Sequence, residues 1–435
     1  MSNSISKYES YKDSGVDWLG EVPSHWKLTR LKHVCKVNPK PTTHKKEAVV
    51  FLPMEAVSST GELDQTRVHI RGELPSGLTD FRKGDVLVAK ITPCFENGKG
   101  AHTDCLNTEY GCGSTEFHVL RAKLHDASPR YIWYLMQCRD FRKYAEIFME
   151  GSAGQKRITT EFISNLYIAL PERNEQDRIA IFLDELANEF NTAIFNKRRM
   201  IGFLQEQKDI LVNQVVTRGL KADAPMKDSG IEWIKKIPSH WAVKRAKYLF
   251  SEIDDRSEHG LEELLSVSHL TGVTPRSEKN VSMFMAEDYA NSKLCQKSDL
   301  IFNTMWAWMG ALGVSDRTGI VSPSYAIYRQ IKPKVFNDWY LENLLRGSDY
   351  IAEYNRRSTG LHSSRLRLYP DMFLDMEIAF PSIDEQNAIE KHAKDLIQQL
   401  DNIIDIFSKE VQKLEEFFSI TISACITGKI KIRDS

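Results

Sequence analysis

Two segments of this chain repeat each other about half a chain length apart. KDSGVDWLGEVPSHW begins at Lys12, and KDSGIEWIKKIPSHW begins at Lys227, 215 residues later in a chain of 435. Most of the differences exchange one apolar residue for another, which indicates duplication rather than chance. An internal repeat of this kind fixes the architecture before any local structure is assigned. The sequence therefore predicts two similar units.

The repeat returns at the far end of each unit. Arg157 lies fourteen residues before Pro171, and Arg367 lies fourteen residues before Pro381. The strings ALPERNEQ and AFPSIDEQ follow, 210 residues apart. The sequences between the repeated ends differ greatly, although their lengths are similar. A constant frame around a divergent insert predicts one scaffold that carries two different recognition surfaces.

Long helices are predicted after both prolines, from about residue 175 to 217 and from about 385 to 427. Their apolar residues alternate at spacings of four and three, which is typical of a coiled coil. Lys197 and Gln207 interrupt the first apolar stripe, and Glu410 interrupts the second. Gly219 and Gly428 are predicted helix stops. We expect the helices to pair antiparallel; the alternative is that each packs separately on its own domain.

The predicted fold class is mixed α/β, with an internal pseudo-twofold repeat. Two similar globular domains are separated by the two long antiparallel coiled-coil helices. The predicted segments are 1–170 (first globular domain), 171–220 (first helix), 221–380 (second globular domain) and 381–435 (second helix). Within the globular domains, Gly84-Asp85 predicts a turn into a strand over 86–91, and Asp299 occupies the position equivalent to Asp85.

Composition indicates an ordinary globular protein. Hydrophobic residues make up 42% of the chain and charged residues 27%, as is usual for soluble domains. No apolar run approaches the roughly 18 residues that a membrane span needs, and the polar start MSNSISKYES lacks the apolar core of a signal peptide. The seven cysteines form no Cys-x-x-Cys pair, which fits a reducing compartment. A cytoplasmic protein without a membrane partner is expected.

Basic residues cluster locally, although the net charge is −1. Residues 22–46 contain seven Lys or Arg and no acidic residue, and residues 234–251 contain five and again no acid. A third acid-free cluster consists of Arg356, Arg357, Arg365 and Arg367. Basic faces of this kind bind phosphates. Solvated surface charge is the alternative for any one cluster, but recurrence at equivalent repeat positions favours a nucleic-acid partner.

Sequence motifs for catalysis are absent. The chain contains no phosphate-binding Gly-x-x-x-x-Gly-Lys-Ser/Thr loop and no Asn/Asp-Pro-Pro-aromatic motif of amino-methyltransferases. One group of possible zinc ligands consists of Cys94, His102, Cys105, Cys112 and His118. Its spacing differs from the paired ligands of structural zinc sites, so no metal or cofactor is expected, and a zinc-dependent enzyme is kept as an alternative.

The repeated histidines and tryptophans are predicted to be structural. His25 and His240 precede tryptophans in both copies, and we expect them to pack or to make local hydrogen bonds. The tryptophans expected to anchor the cores are Trp18, Trp26, Trp233 and Trp241.

The paired DSGVDWLGEVPSHW and DSGIEWIKKIPSHW openings, the paired Pro-x-x-x-Glu-Gln helix starts and the run FNTMWAWMGALGVS…GIVSPSYAIYR carry a family resemblance. Over nearly its whole length the chain resembles the specificity subunit of a type I restriction-modification system. The resemblance implies two target-recognition domains held apart by two antiparallel helices, with no catalytic activity. It implies binding to double-stranded DNA, to two methyltransferase subunits and, in the full enzyme, to restriction/translocase subunits. A specificity subunit of a related system of another type is the alternative.

Two different recognition domains predict an asymmetric, two-part DNA site. Sequence is read from base edges, while basic side chains bind phosphates and set the register. The predicted contacts of the first domain are Lys90, Asn97, Lys99, Gln155 and Lys156. Those of the second domain are Asn303, Ser324, Tyr325, Ser364 and Arg365. We expect Trp306 and Trp308 to pack in the core instead.

Overall fold

The computed structural model of the chain describes residues 5–40, 43–152, 154–278, 289–360 and 366–433. It divides into two compact units. The first unit comprises residues 1–198 and 408–435, and the second comprises 199–407. These boundaries fall inside both long helices, so each unit contains one globular part and a portion of each helix. The domain boundaries expected from the sequence, at the helix ends, remain a prediction.

Strands and helices are numbered in chain order. The strands before the second repeat are β1 (Ile5–Ser6), β2 (Tyr11–Asp13), β3 (Glu21–Pro23), β4 (Lys27–Arg30), β5 (Cys35–Val37), β6 (Ala48–Leu52), β7 (Val68–Ile70), β8 (Thr79–Arg82), β9 (Val86–Ala89), β10 (Gly100–His102), β11 (Tyr110–Gly113), β12 (Phe117–Ala122) and β13 (Tyr167–Leu170). The later strands are β14 (Met226–Asp228), β15 (Lys236–Pro238), β16 (Ala242–Arg245), β17 (Phe250–Ile253), β18 (Leu265–Ser268), β19 (Gly272–Pro275), β20 (Lys293–Cys295), β21 (Leu300–Phe302), β22 (Leu312–Val314), β23 (Gly319–Val321), β24 (Ala326–Gln330), β25 (Glu377–Phe380) and β26 (Lys431–Ile432). The α-helices are α1 (Leu31–Val34), α2 (Pro129–Gln137), α3 (Arg139–Glu146), α4 (Thr160–Asn165), α5 (Arg173–Arg218), α6 (Asp338–Leu345), α7 (Ser348–Arg357), α8 (Pro370–Leu374) and α9 (Ile383–Ile426).

The first unit is built on two four-stranded sheets. One is antiparallel in the order β10-β9-β12-β5, and the other has the order β7-β6-β11-β8 with β6 and β11 parallel. Two-stranded pairs β2-β3, β4-β13 and β1-β26 complete it. Strand β9 is buried along its whole length, because each of its faces is covered. Mixed α/β structure is confirmed.

The second unit repeats the antiparallel sheet of the first. Its order is β17-β24-β21-β22, so β21 and β24 take the places of β9 and β12. The pairs β14-β15 and β16-β25 repeat β2-β3 and β4-β13. The remaining strands form the small pairs β18-β19 and β20-β23. The antiparallel four-stranded sheet and the two strand pairs are therefore shared by both units. The second sheet of the first unit, β7-β6-β11-β8, is replaced in the second unit by the pairs β18-β19 and β20-β23.

Helices α5 and α9 confirm the long helices expected from the sequence, each beginning two residues earlier than predicted. Gly219 and Gly428 follow them with φ of 75° and 72°, a left-handed conformation in which glycine avoids the strain that a Cβ would cause.

Within each unit the portions of the two helices pack antiparallel. In the first unit the Phe190 ring stacks on Phe417 and Phe418, with ring centroids 5.8 and 5.6 Å apart. Further along, the Lys197 ammonium pairs with the Glu410 carboxylate. The two charged interruptions of the apolar stripes thus meet each other. In the second unit Lys208 Nζ lies 2.8 Å from Asp401 Oδ1.

A buried carboxylate and an arginine recur on the shared sheet. Asp85 is 1% exposed, and its two oxygens accept hydrogen bonds from Nε and Nη2 of Arg121, both at 2.7 Å. Asp299, also 1% exposed, accepts the same pair from Arg329 at 2.8 and 2.7 Å. These bidentate bonds offset the cost of burying the charge. The equivalence of Asp85 and Asp299 is confirmed.

The Glu-Gln pair at the start of each long helix ties the repeated segments together. Glu175 Oε1 accepts from Trp26 Nε1 at 3.2 Å, and Glu385 Oε1 accepts from Trp241 Nε1 at 3.2 Å. His25 and His240 lie 2.9 and 2.8 Å from the other oxygens of these carboxylates, which confirms their local hydrogen bonds. The buried amides are those of Gln176 and Gln386, whose Oε1 atoms accept from Ser128 N and Asn337 N. Trp18, Trp26 and Trp241 are buried in the cores, and Trp233 is partly buried.

Candidate nucleic-acid interface

In the first unit, a loop that follows β9 carries the first predicted contacts. Residues 90–99 leave the sheet and return to it, because Ala89 N donates to Lys99 O at 2.9 Å. Asn97 lies exposed in the loop, with its backbone N donating to Pro93 O at 3.0 Å. Lys90 is half-buried at the loop's base. The loop is therefore held by its own backbone while the Asn97 amide faces solvent.

A second segment, residues 155–158, lies against the same loop. Ile158 N donates to Lys90 O at 2.8 Å, and Thr92 N donates to Lys156 O at 2.9 Å. Gln155 and Lys156 are both exposed. The structure therefore brings the loop that carries Lys90 and Asn97 against the segment that carries Gln155 and Lys156, although Lys90 and Lys156 lie 66 residues apart in sequence.

One predicted contact of this unit has a different environment. Lys99 is only partly exposed, and its Nζ donates to the backbone oxygen of Met54 at 3.0 Å. This bond holds the ammonium against the short helical turn that follows β6, so Lys99 supports the loop. Its contact with DNA stays a prediction.

An ion pair beside Lys90 has no counterpart among the predicted site residues. Arg157 donates from Nε and Nη2 to the Glu116 carboxylate at 3.0 Å each. These hydrogen bonds hold the pKa of Glu116 below its usual value. The sequence identifies Arg157 only as a residue that recurs in both repeats. The ion pair could not be predicted, because Glu116 lies 41 residues away in sequence.

His118 holds the 155–158 segment from beneath. Its Nε2 lies 2.8 Å from Ile158 O, and its Nδ1 lies 3.1 Å from Asn38 Nδ2. A carbonyl accepts and an amide NH₂ donates, so the hydrogen bonds assign the neutral ring with its proton on Nε2. Burial lowers the pKa of His118. The ring is therefore a structural support of the surface.

The second unit makes the same backbone connections with different side chains. Leu368 N donates to Thr304 O at 3.0 Å, as Ile158 N does to Lys90 O. Asn303 N donates to Ala311 O at 2.9 Å, as Ala89 N does to Lys99 O. Residues 304–311 are therefore the structural equivalent of the loop 90–99.

The predicted contacts of the second unit differ in exposure. Ser324 is exposed, and its backbone oxygen accepts from Thr304 Oγ1 at 2.8 Å. Tyr325 is partly buried, and its Oη accepts from Asn303 Nδ2 at 3.1 Å. Asn303 itself is only 7% exposed, so it lies beneath the surface and positions Tyr325. Ser364 and Arg365 lie outside the described residues.

The expectation that Trp306 and Trp308 pack in the core is wrong. Trp306 is 47% exposed and Trp308 is partly exposed. Their rings stack on each other, with centroids 6.1 Å apart and planes inclined by 19°. Ala307 between them is the buried residue. An apolar run of this length does not show from sequence which of its members the turn directs inward.

Neither a metal cluster nor a membrane span occurs in the part of the chain that the structure describes. No three His, Cys, Asp or Glu side chains there come together as metal ligands. No helix there is long and apolar enough to cross a bilayer.

A family model and several relatives match parts of this chain. Residues 23–198 match the family model described as "Type I restriction modification DNA specificity domain". Two Escherichia coli proteins, the type I restriction enzyme EcoAI and EcoEI specificity subunits, are 34% and 36% identical over 168 and 162 residues. These matches cover 38% and 37% of this chain but only 28% and 27% of those relatives.

Other similarities extend over the whole chain at lower identity. The putative type I restriction enzyme MjaX specificity subunit of Methanocaldococcus jannaschii is 21% identical, and the match covers 98% of each chain. A solved structure concerned with "complex assembly" and "conformational transition of the type I R-M system" is 18% identical, covers 93% of this chain and 98% of its own, and has a TM-score of 0.65. The HsdS subunit from Thermoanaerobacter tengcongensis is 17% identical over 94% of this chain and 98% of its own, with a TM-score of 0.51.

The sequence matches name one family, and the solved structures share the fold of this chain. The resemblance to type I restriction-modification specificity subunits is confirmed, and the DNA specificity domain of that family matches residues 23–198.

Proposed function

We propose that this chain is the non-catalytic DNA-specificity subunit of a cytoplasmic type I restriction-modification enzyme. Its two globular domains would each read one half of an asymmetric, two-part site in double-stranded DNA. One observation carries the proposal. The loops 90–99 and 304–311 leave equivalent strands through equivalent backbone hydrogen bonds, yet one presents Asn97 and the other a tryptophan pair. The same frame with different surface chemistry is what two different half-sites require.

Two kinds of contact are proposed, because DNA recognition needs both base and phosphate contacts. In the first unit the exposed Asn97 and Gln155 carry amides, which can pair with the N6 and N7 edge of adenine. The Lys90 and Lys156 ammoniums on the same surface suit phosphates, which set the register without reading sequence. Ser324 and Tyr325 present hydroxyls in the second unit, and Ser364 and Arg365, which lie outside the described residues, are proposed to contact the same half-site.

The long helices are proposed to act as a spacer and as a docking surface. The antiparallel packing within each unit supports a pair of coiled-coil helices that separates the two target-recognition domains. Both units present a histidine that is 52% exposed and bonded to the glutamate at a helix start. Two such equivalent features support the recruitment of two methyltransferase subunits, with restriction/translocase subunits joining the full complex.

The proposal is tested with the full-length chain co-purified with its methyltransferase subunits. Methylated positions in DNA should define a two-part motif with unlike halves. Lys90→Ala and Lys156→Ala should each weaken binding to all sequences and reduce the slope of log affinity against log salt by about one. Asn97→Ala should cost roughly 1–3 kcal/mol at one base pair of the first half-site only.

Lys7, which is exposed and belongs neither to the loop 90–99 nor to the 155–158 segment, provides the matched control, and Lys7→Ala should leave affinity and salt slope unchanged. Absence of a two-part methylated motif would contradict the proposed function. Unchanged salt slopes in both lysine variants would contradict the placement of the surface.

A further inference from the structure

The tryptophan pair of the second unit presents a large apolar surface to solvent. Trp308 Nε1 donates to the backbone oxygen of Met305 at 3.0 Å, so the turn itself uses this polar atom. Trp306 is 47% exposed and Met305 is 37% exposed. Large exposed apolar groups that lie side by side commonly mark a contact surface, whereas single ones need no explanation.

The turn holds the pair in a fixed position. Met309 N and Ala311 N both donate to Trp306 O, at 3.0 and 3.1 Å. Ala307 is fully buried, and Gly310 closes the turn with φ of 81°. A Cβ on Gly310 would lie 2.7 Å from the side chain of Ile351 on α7. The exposed indoles are therefore mounted on an anchored turn.

Polar groups surround the pair on the proposed DNA-binding surface. Thr304 and Ser324 are joined at the base of the turn, and Ser322 Oγ lies 2.9 Å from Ser324 Oγ. Arg367, which is exposed, immediately precedes Leu368, whose N donates to Thr304 O. An apolar centre with hydroxyls and a basic side chain at its rim suits a ligand that is anionic outside and has an apolar group inside.

We propose that Trp306 recognises the C5-methyl group of a thymine in the major groove of the half-site read by the second unit. This inference rests on the proposed function. The thymine methyl is the apolar group among the base edges that the major groove displays. The equivalent loop of the first unit offers the Asn97 amide instead, so the two half-sites are read by different chemistry at the same place on the scaffold.

The test removes the methyl group alone. The complex with methyltransferase subunits is titrated with duplexes in which each thymine of the second half-site is replaced in turn by deoxyuridine. One substitution should weaken wild-type binding about fourfold, as expected for one methyl group taken out of a buried contact. Trp306→Ala should bind normal DNA more weakly and should not distinguish thymine from deoxyuridine at that position. Trp306→Leu, which keeps an apolar side chain, should retain part of the discrimination.

Three results would overturn the inference while leaving the proposed function intact. Replacement of each thymine of the second half-site by deoxyuridine, one at a time, could leave affinity unchanged although the two-part site is still bound specifically. The second half-site could contain no A·T pair. A 2-aminopurine probe in that half-site could brighten on binding and brighten further with Trp306→Ala, which would indicate an extruded base quenched by stacking on Trp306 instead of a methyl contact. Failure of the proposed function would be seen separately, as loss of specific binding to any two-part site.

Discussion

At the residue scale, the proposed surface of the first unit depends on a neutral histidine. His118 is 2% exposed and joins β12 to the 155–158 segment through Ile158. Burial disfavours the charged ring and lowers its pKa in the folded protein, while the unfolded chain keeps a value near 6.5. The unfolded state therefore binds the proton more readily. The contribution of the neutral His118 ring to the free energy of unfolding should be fully present above about pH 6.5 and should be lost as the pH falls below that value.

We therefore predict that the free energy of unfolding of the full-length chain declines between pH 7 and pH 5. His118→Gln should lower stability at pH 7.5 but show a smaller decline on acidification, measured as urea-unfolding curves at a series of pH values. Part of the decline should persist, because burial also lowers the pKa of His102. His259→Gln is the control, since His259 is 76% exposed, and its profile should match the wild type. A full decline in His118→Gln would show that another group is responsible.

At the element scale, the ion pair between Lys197 and Glu410 joins α5 to α9, so the length of one helix cannot be changed independently of the other. The interruption of the stripe at Lys197 suggests a weak point in helix pairing, but its ammonium is bonded to the opposite helix. Four residues inserted in α5 alone would shift each contact between α5 and α9 beyond the insertion by about one helical turn. Lengthening the proposed spacer therefore requires insertions at facing positions in both helices, near residues 199 and 408.

We predict that four extra residues at each of these positions lengthen the gap between the half-sites and leave both halves unchanged. Four residues add roughly 6 Å to a helix, and base pairs are spaced about 3.4 Å apart, so the gap should grow by one or two base pairs. Sequencing of methylated DNA gives the motif directly. The matched control carries the insertion in α5 only and should lose specific methylation. A paired insertion with an unchanged gap would show that helix length does not set the spacing.

The sequence predicted the elements well where a single periodic signal was sufficient. The long helices and their glycine stops follow from apolar spacing and local backbone chemistry, and both are found. The interface was harder to predict because its members are brought together by strand order. Asn303 illustrates the limit: a polar residue at the end of a short strand faces inward or outward depending on a register that one sequence does not reveal.

At the scale of the whole molecule, duplication accounts for the way each unit is assembled. In the first unit β1, which precedes the first repeated segment, pairs with β26, which follows α9, and the two form one small sheet. At the equivalent place in the second unit, one continuous segment leads from Gly219, after α5, to β14. Each unit can thus complete its frame around whichever insert it carries, which allows the inserts to diverge while the frame is maintained.

The insert of the first unit should accordingly be exchangeable. We predict that replacing residues 35–155 with those of a related subunit changes the first half-site and leaves the second half-site and the gap as they were. The exchanged segment begins at β5 and ends just before Arg157 and Ile158, which remain to hold the loop. The donor should retain Tyr134, because its Oη donates to Asp184 Oδ1 on α5 at 2.8 Å. The matched control replaces residues 250–365 and should change only the second half-site. If either exchange alters both halves together, or moves the gap, the two units do not read DNA independently.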